Sequence, residues 1–215
     1  MVKASDKKNE VTLLRRIRDK FKHGLVIHVI RNQLAKIGIV ITPYYWVQEG
    51  VNHTEIPEIK GIASEYTVSF LEAEDIKMMG DNIRGYTVEE LLADLNAGRK
   101  FLGLKHGDQI ASIMYINLME CPFEPVSMPL KNDEAYLSHM HTVESFRGAN
   151  LAPYLRYKSY DILKNMGRDK IYSATDFFNS SAIRYKEKLN AKNLKLVLYI
   201  RIFKRLKWSI TLRTY

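Results

Sequence analysis

From Glu65 to the C-terminus, short strand-like and helix-like runs alternate in the order β-α-α-β-β-β-α-β-α-β-β, and few architectures accept that order. Glu65–Leu71 reads as a strand and Glu72–Met79 as a short helix. Thr87 caps a second helix, Val88–Asn96, which Gly98 closes. Lys100–Lys105 and Gln109–Met119 flank His106-Gly107-Asp108 as a hairpin. The three prolines of Cys121–Asn132 mark a surface loop. Ala135–Thr142 is the next strand, Leu151–Met166 a long helix and Lys170–Thr175 a further strand. A helix over Ser180–Leu189 and two closing strands, Leu194–Phe203 and Lys207–Thr214, finish the chain. Mixed elements in this order predict an α/β (α+β) domain with a largely antiparallel central sheet flanked by helices.

The first 60 residues follow another pattern. Leu13, Leu14, Ile17, Phe21, Leu25, Val29, Ile30 and Leu34 recur at three- and four-residue spacing between Arg and Lys, predicting a basic amphipathic helix over 11–36, broken at Gly24. Ile37–Gln48 is extended and aromatic, and 49–62 reads as a loop. The expected division is a helical extension over 1–60 and a domain over 61–215. Of the net charge of +9, residues 1–36 carry +7 and residues 198–215 carry +5, so the middle is mildly acidic at −3. Basic ends on an acidic body disfavour nucleic acid as the partner. Two fates fit the helix: lying on an anionic membrane surface with Phe21, Leu25 and Val29 toward lipid, or packing on the domain or a second subunit of a homodimer. With one cysteine, Cys121, no internal disulfide forms, and no run is long enough to span a bilayer. The expected location is cytoplasmic, at most peripheral to the inner membrane face.

Between the strand ending at Thr142 and the helix beginning near Leu151 lies a corner of small residues, Arg147-Gly148-Ala149-Asn150. A strand feeding such a turn into a helix collects unpaired backbone N–H groups at the positive helix end, where a phosphate is well held. Arg147 adds a charged donor.

These residues resemble the GNAT superfamily of N-acyltransferases, and the likeness covers about residues 63–214. In that family a strand ending in (Tyr/Phe)-Arg-Gly leads into Arg-x-x-Gly-x-(Gly/Ala). Here Phe146-Arg147-Gly148 and Arg147-x-x-Asn150-x-Ala152 match, except that Asn150 replaces glycine. Asn tolerates left-handed backbone angles better than most residues. A second signature, Asn-x-x-Ala-x-x-(Phe/Leu)-Tyr-x-x-Leu, is similar to Asn179-Ser-Ser-Ala182-Ile-Arg-Tyr185-Lys186-Glu-Lys-Leu189. The resemblance implies acetyl-CoA, or a longer acyl-CoA, as co-substrate. It places the cofactor against Thr142, Val143, Arg147, Gly148, Ala149, Asn150, Leu151 and Ala152, with Asn179 and Ala182 on the following strand and helix. The family's tyrosine, which protonates the departing thiolate, aligns with Lys186, while Tyr185 lies one residue earlier. One helical residue is a rotation of about 100°, so the two side chains do not share a direction, and Tyr185, Lys186 or a water is left as the donor.

The implied reaction needs positioning, an oxyanion donor from the strand 138–142, and one or two proton transfers. Candidate bases are Glu134, thirteen residues before Arg147; His139 and His141, expected on one strand face; and Asp176 at the end of the next strand. His139-x-His141 lacks further ligands nearby for a metal. The expected acceptor is a primary amine of a small molecule or amino sugar. Open beside it are a longer-chain transferase fed by acyl-CoA or by an acyl carrier protein docked on the basic ends, and a non-catalytic CoA- or partner-binding domain.

Overall fold

The computed structural model describes residues 25–50, 55–80, 86–203 and 205–215, with side chains from Ile30 onward. Residues 11–24, most of the expected basic helix with Phe21 and the Gly24 break, lie outside the described residues. The elements, in order, are α1 (Leu25–Lys36), β1 (Ile39–Glu49), β2 (Tyr66–Phe70), α2 (Ala73–Met79), α3 (Val88–Asn96), β3 (Lys100–His106), β4 (Gln109–Asn117), the short hairpin β5 (Glu120–Cys121) and β6 (Met128–Pro129), β7 (Glu134–Thr142), α4 (Leu151–Asn165), β8 (Lys170–Asp176), α5 (Ser180–Lys188), β9 (Lys192–Ile202) and β10 (Leu206–Thr214). Eight strands form one sheet in the order β10-β9-β1-β8-β7-β4-β3-β2. Its pairs are antiparallel except β7 with β8.

The β-α order expected from residue 65 onward is reproduced, because each element carries its own local signals. At α3, the Thr87 hydroxyl accepts from Glu90 N–H and the Glu90 carboxylate accepts from Thr87 N–H, which satisfies two orphan donors at once.

The expected boundary at residue 60 does not hold. The stretch Ile37–Gln48, read as an extended part of a separate extension, supplies nearly all of β1, a central strand hydrogen-bonded to β9 on one side and β8 on the other. Its mixed aromatic and β-branched composition suits a strand inside a sheet. The described part of α1 is tied to the same sheet: Arg31 Nη2 donates to Asp176 Oδ2 and to Thr42 Oγ1, both at 2.8 Å.

Each face of the sheet has its own core. α4 packs Leu151, Leu155 and Leu163 on Leu102, Leu104, Met114 and Leu137. On the other face, α2 and α3 bring Ile76 and Leu91 against Phe101, Ile113 and Tyr115. Further along that second face, Trp46 stacks on Tyr136 and Tyr172 at 5.7 and 5.4 Å under the loop that follows Cys121. Gly103 of β3 is a point of close approach: a Cβ there would sit 2.3 Å from Cδ2 and 2.9 Å from Cγ of fully buried Leu71. Gly103→Ala is expected to lower stability by about 1–3 kcal/mol through overpacking, read as a shift in denaturation midpoint at unchanged m-value.

What positions the site is the parting of the two parallel strands. β7 and β8 are paired only from Glu134↔Lys170 to Leu137↔Ser173. Beyond that, β7 carries a bulge: Tyr115 lies opposite Ser138 and Ile113 opposite His141, so His139 and Met140 on β7 together oppose Met114 on β4. His139 takes up the extra length with φ of 50°, a left-handed conformation that a non-glycine residue rarely adopts. The bulge bends β7 away from β8 and opens a slot through the sheet.

Candidate active site

On the α4/α5 face the slot widens into a cavity of 530 Å³ between β7 and β8. At its edge, through Asn150, Ala152 and Pro153, stands the corner singled out in the sequence. Gly148 has φ of 86° and Asn150 φ of 64°, so the position where asparagine replaces glycine is left-handed, as its tolerance of such angles predicts. The Asn150 side-chain amide donates to Glu58 O at 2.7 Å, and Lys60 N–H donates to Ala149 O at 3.0 Å, which fastens the corner to the segment before β2. The N–H groups of Gly148, Ala149, Asn150 and Leu151 have no carbonyl partner among the described residues. They precede the first turn of α4, whose Pro153 has no N–H to offer. Half-exposed Arg147 keeps its Nε on Thr142 O at 3.3 Å. Thr142 is itself anchored, its hydroxyl 3.1 Å from that of Ser112.

The opposite wall comes from α5. Asn179 is its N-cap and accepts from Ala182 N–H at 3.1 Å. Asn179, Ala182 and Tyr185 all line the cavity with Thr142, Asn150 and Ala152. The cavity runs on into a second one of 820 Å³ that shares Asn150, Pro153, Ser181 and Tyr185, so the whole is a long groove between α4 and α5.

Beneath the groove lies a cluster of charged groups that the sequence did not announce. Glu49, Arg156 and Lys186 are all fully buried. Lys186 Nζ is 3.2 Å from Glu49 Oε1 and donates to Ser173 Oγ at 2.6 Å and Thr175 Oγ1 at 2.5 Å. Arg156 Nε is 3.3 Å from Glu49 Oε2, Tyr160 donates to the same oxygen at 2.7 Å, and Ser173 Oγ donates to Glu49 Oε1. Burial alone would raise the Glu49 pKa, but Arg156 and Lys186 overcome it and lower the value to about 2. Arg156 Nη2 donates to Tyr185 Oη at 3.4 Å, while its buried Nη1 has no partner among the described residues, though the residue lines the groove. No single residue here carries a motif; the cluster exists only once β1, α4, β8 and α5 are packed together.

The sequence-predicted proton carriers separate. His139 lines the groove, with its ring 4.8 Å from Tyr115 and 5.4 Å from Tyr86 and its Nδ1 3.0 Å from Ser138 Oγ. Packing among those rings, then the charge of Arg99, lowers its pKa below the ordinary histidine value, so the imidazole is neutral at physiological pH. Nearby Tyr115 Oη is buried without a hydrogen-bond partner among the described residues. His141 lies opposite Ile113, whose side chain packs on the same sheet face as Tyr115, and it borders neither the groove nor the cavity behind it. Glu134 is corrected as well: it sits at the closed, paired end of β7, buried, with its carboxylate accepting Lys131 N–H at 2.9 Å. Asp176 does line the groove, yet its carboxylate is engaged by Arg31 and by Phe178 N–H at 2.9 Å. It is an anchor rather than a base. Of the two helix residues that competed as donor, both border the groove, but the ammonium of Lys186 is held by the buried cluster.

No protein-family model and no curated protein matches this sequence. Solved structures do match. An acetyltransferase of the GNAT family from Colwellia psychrerythraea shares 11% identity at a TM-score of 0.55, over 78% of this chain and 59% of that one. A protein assigned to the GNAT family from Novosphingobium aromaticivorans shares 16% at 0.51, over 76% and 66%. A GCN5-related N-acetyltransferase from Sphaerobacter thermophilus shares 9% at 0.51, over 84% and 56%. The chain therefore spans less than two thirds of the length of these proteins, and at such identities the likeness is one of architecture. The fold is that of the GNAT acetyltransferases.

Proposed function

We propose that this chain is an N-acyltransferase that moves an acetyl group from acetyl-CoA to a primary amine of a small molecule or amino sugar by direct attack. The observation that carries the reading is the corner at residues 148–151, with N–H groups that have no carbonyl partner among the described residues, left-handed Gly148 and Asn150 and adjacent Arg147, which meets a long groove at Asn150. Such a corner suits a pyrophosphate, and the groove suits the elongated body of CoA.

In this reading the thioester lies where the strands part, with its carbonyl toward the N–H groups of β7 beyond Leu137, where pairing with β8 has ended. The amine nitrogen attacks the carbonyl carbon and gives a zwitterionic tetrahedral intermediate. The ammonium proton of that intermediate is far more acidic than that of a free amine, so a neutral imidazole suffices to take it, and His139 stands at the junction. Collapse breaks the C–S bond, and Tyr185 Oη, which accepts from Arg156, gives its own proton to the departing thiolate.

The test is CoA-thiol release with acetyl-CoA against a panel of amines. Turnover is expected, with an acidic limb of kcat below pH 6.5 that His139→Gln removes along with most of the rate. CoA binding without thiol release from any amine would leave a non-catalytic domain.

A further inference from the structure

Behind the slot, on the face opposite the long groove, lies a separate cavity of 450 Å³. It meets the groove at Ser138, His139 and Ala174, which line both, so a molecule in the rear cavity reaches the same strand opening as a thioester in the front one. Its walls are aromatic: Tyr44 and Phe123 meet edge-to-face at 4.9 Å, Tyr136 is fixed by its stack on Trp46, and Tyr199 closes the side. Set into these walls are two guanidinium groups, Arg99 and Arg201.

Their partners leave positive charge in hand. Arg99 Nη1 is held by Asp94 at 2.8 Å. Arg201 lies on β9 between Val40 and Lys207, and among the described residues its one carboxylate neighbour is Glu124, at 3.9 Å, beyond hydrogen-bond distance. That carboxylate is already taken by Lys207 at 2.6 Å and by the Tyr199 hydroxyl. Among the described residues the Arg201 fork thus donates no hydrogen bond, although it is about one third exposed and faces a preformed cavity. A planar fork with unspent donors is the group that recognises a carboxylate by two parallel bonds.

We propose that the acceptor is a primary amine that also carries a carboxylate, of the amino-acid class, with Arg201 gripping the carboxylate and the aromatic walls holding an apolar or aromatic side group. This rests on the acyltransferase reading and narrows it. The amine, separated from the carboxylate by one or two carbons, is then directed toward His139 and the strand opening. Arg201 touches only the non-reacting end, so it acts on binding and orientation.

The experiment uses the full chain, acetyl-CoA and matched acceptor pairs: L-phenylalanine with phenethylamine, L-tyrosine with tyramine, L-leucine with isoamylamine, and glucosamine as a sugar amine without a carboxylate. The amino acids are expected to show at least roughly tenfold higher kcat/KM than their decarboxylated partners. Arg201→Met should raise KM for the amino acids roughly 10- to 100-fold with little change in kcat, leave the decarboxylated amines unaffected, and keep the thermal midpoint. Arg201→Lys should recover part of the loss. The proposal is overturned if decarboxylated amines or glucosamine match or exceed the amino acids, or if Arg201→Met lowers every acceptor alike; in those cases the transferase reading stands. Bound CoA with no thiol release from any acceptor removes both.

Discussion

Glu49→Gln is expected to cost the fold about 3–5 kcal/mol, a large share of the stability of a domain of this size. The carboxylate is buried between Arg156 and Lys186, whose own side chains are 3% and 5% exposed. Glutamine keeps the shape but removes the negative charge, leaving two buried cations facing one another without compensation. The cluster joins β1, α4, β8 and α5, the elements that carry the groove, so the loss should be felt at the site and read as a lower urea midpoint together with weaker CoA binding.

The same geometry fixes a pH dependence. The Glu49 pKa is lowered in the folded state to about 2 from its ordinary 4.5. Its contribution is therefore fully present above pH 4.5 and is lost as pH falls from there toward 2. A shift of that size is worth about 3 kcal/mol. Stability of the parent protein should decline through this window, and the decline should be shallower in Glu49→Gln. Equal slopes for the two proteins would show that the carboxylate is not the group being protonated. Replacing Glu49 and Lys186 together by Gln and Met should be milder than either alone, since the uncompensated charge is then reduced.

Tyr185→Phe is expected to lower kcat roughly 100-fold, with KM for acetyl-CoA and thermal stability nearly unchanged. Tyr185 lines the groove, and among the described residues its hydroxyl holds only a long 3.4 Å contact from Arg156, so the fold has little invested in it. Lys186→Met should show the reverse signature: a large loss of stability, because Lys186 supplies two hydrogen bonds and an ion pair inside the buried cluster. The pair of variants separates the two residues that compete for one role in the sequence. Full kcat in Tyr185→Phe, with a folded Lys186 variant losing turnover, would move the proton donor to Lys186 acting through the Thr175 hydroxyl.

The offset between Tyr185 and the expected register shows how sequence reading fails near a site. Both residues border the groove, yet one helical position is enough to send an end group into the buried cluster instead, and helix periodicity alone does not say which position does so. Glu134 failed for a related reason. Its distance along the chain from Arg147 suited a base, but the open part of β7 begins only after Leu137, where pairing with β8 stops. His139 was legible as a candidate, though not for the reason that matters: the sequence offered alternation along a strand, whereas the structure places it in a left-handed bulge at the junction of two cavities.

What the sequence determined by itself is local. The order of strands and helices, the capping box at Thr87 and Glu90, the glycine-and-asparagine corner before α4 and the Asn179 cap of α5 are written in short stretches, because turn conformation and helix termination depend on neighbouring residues. The tertiary structure alone decided that Ile39–Glu49 enters the middle of the sheet. It also decided that Glu49 meets Ser173 across 124 positions of chain, and that Arg99 and Arg201 face one cavity behind the slot. Those contacts depend on strand order and on where β7 and β8 part, and both are settled by packing of the whole sheet against its helices rather than by any one segment.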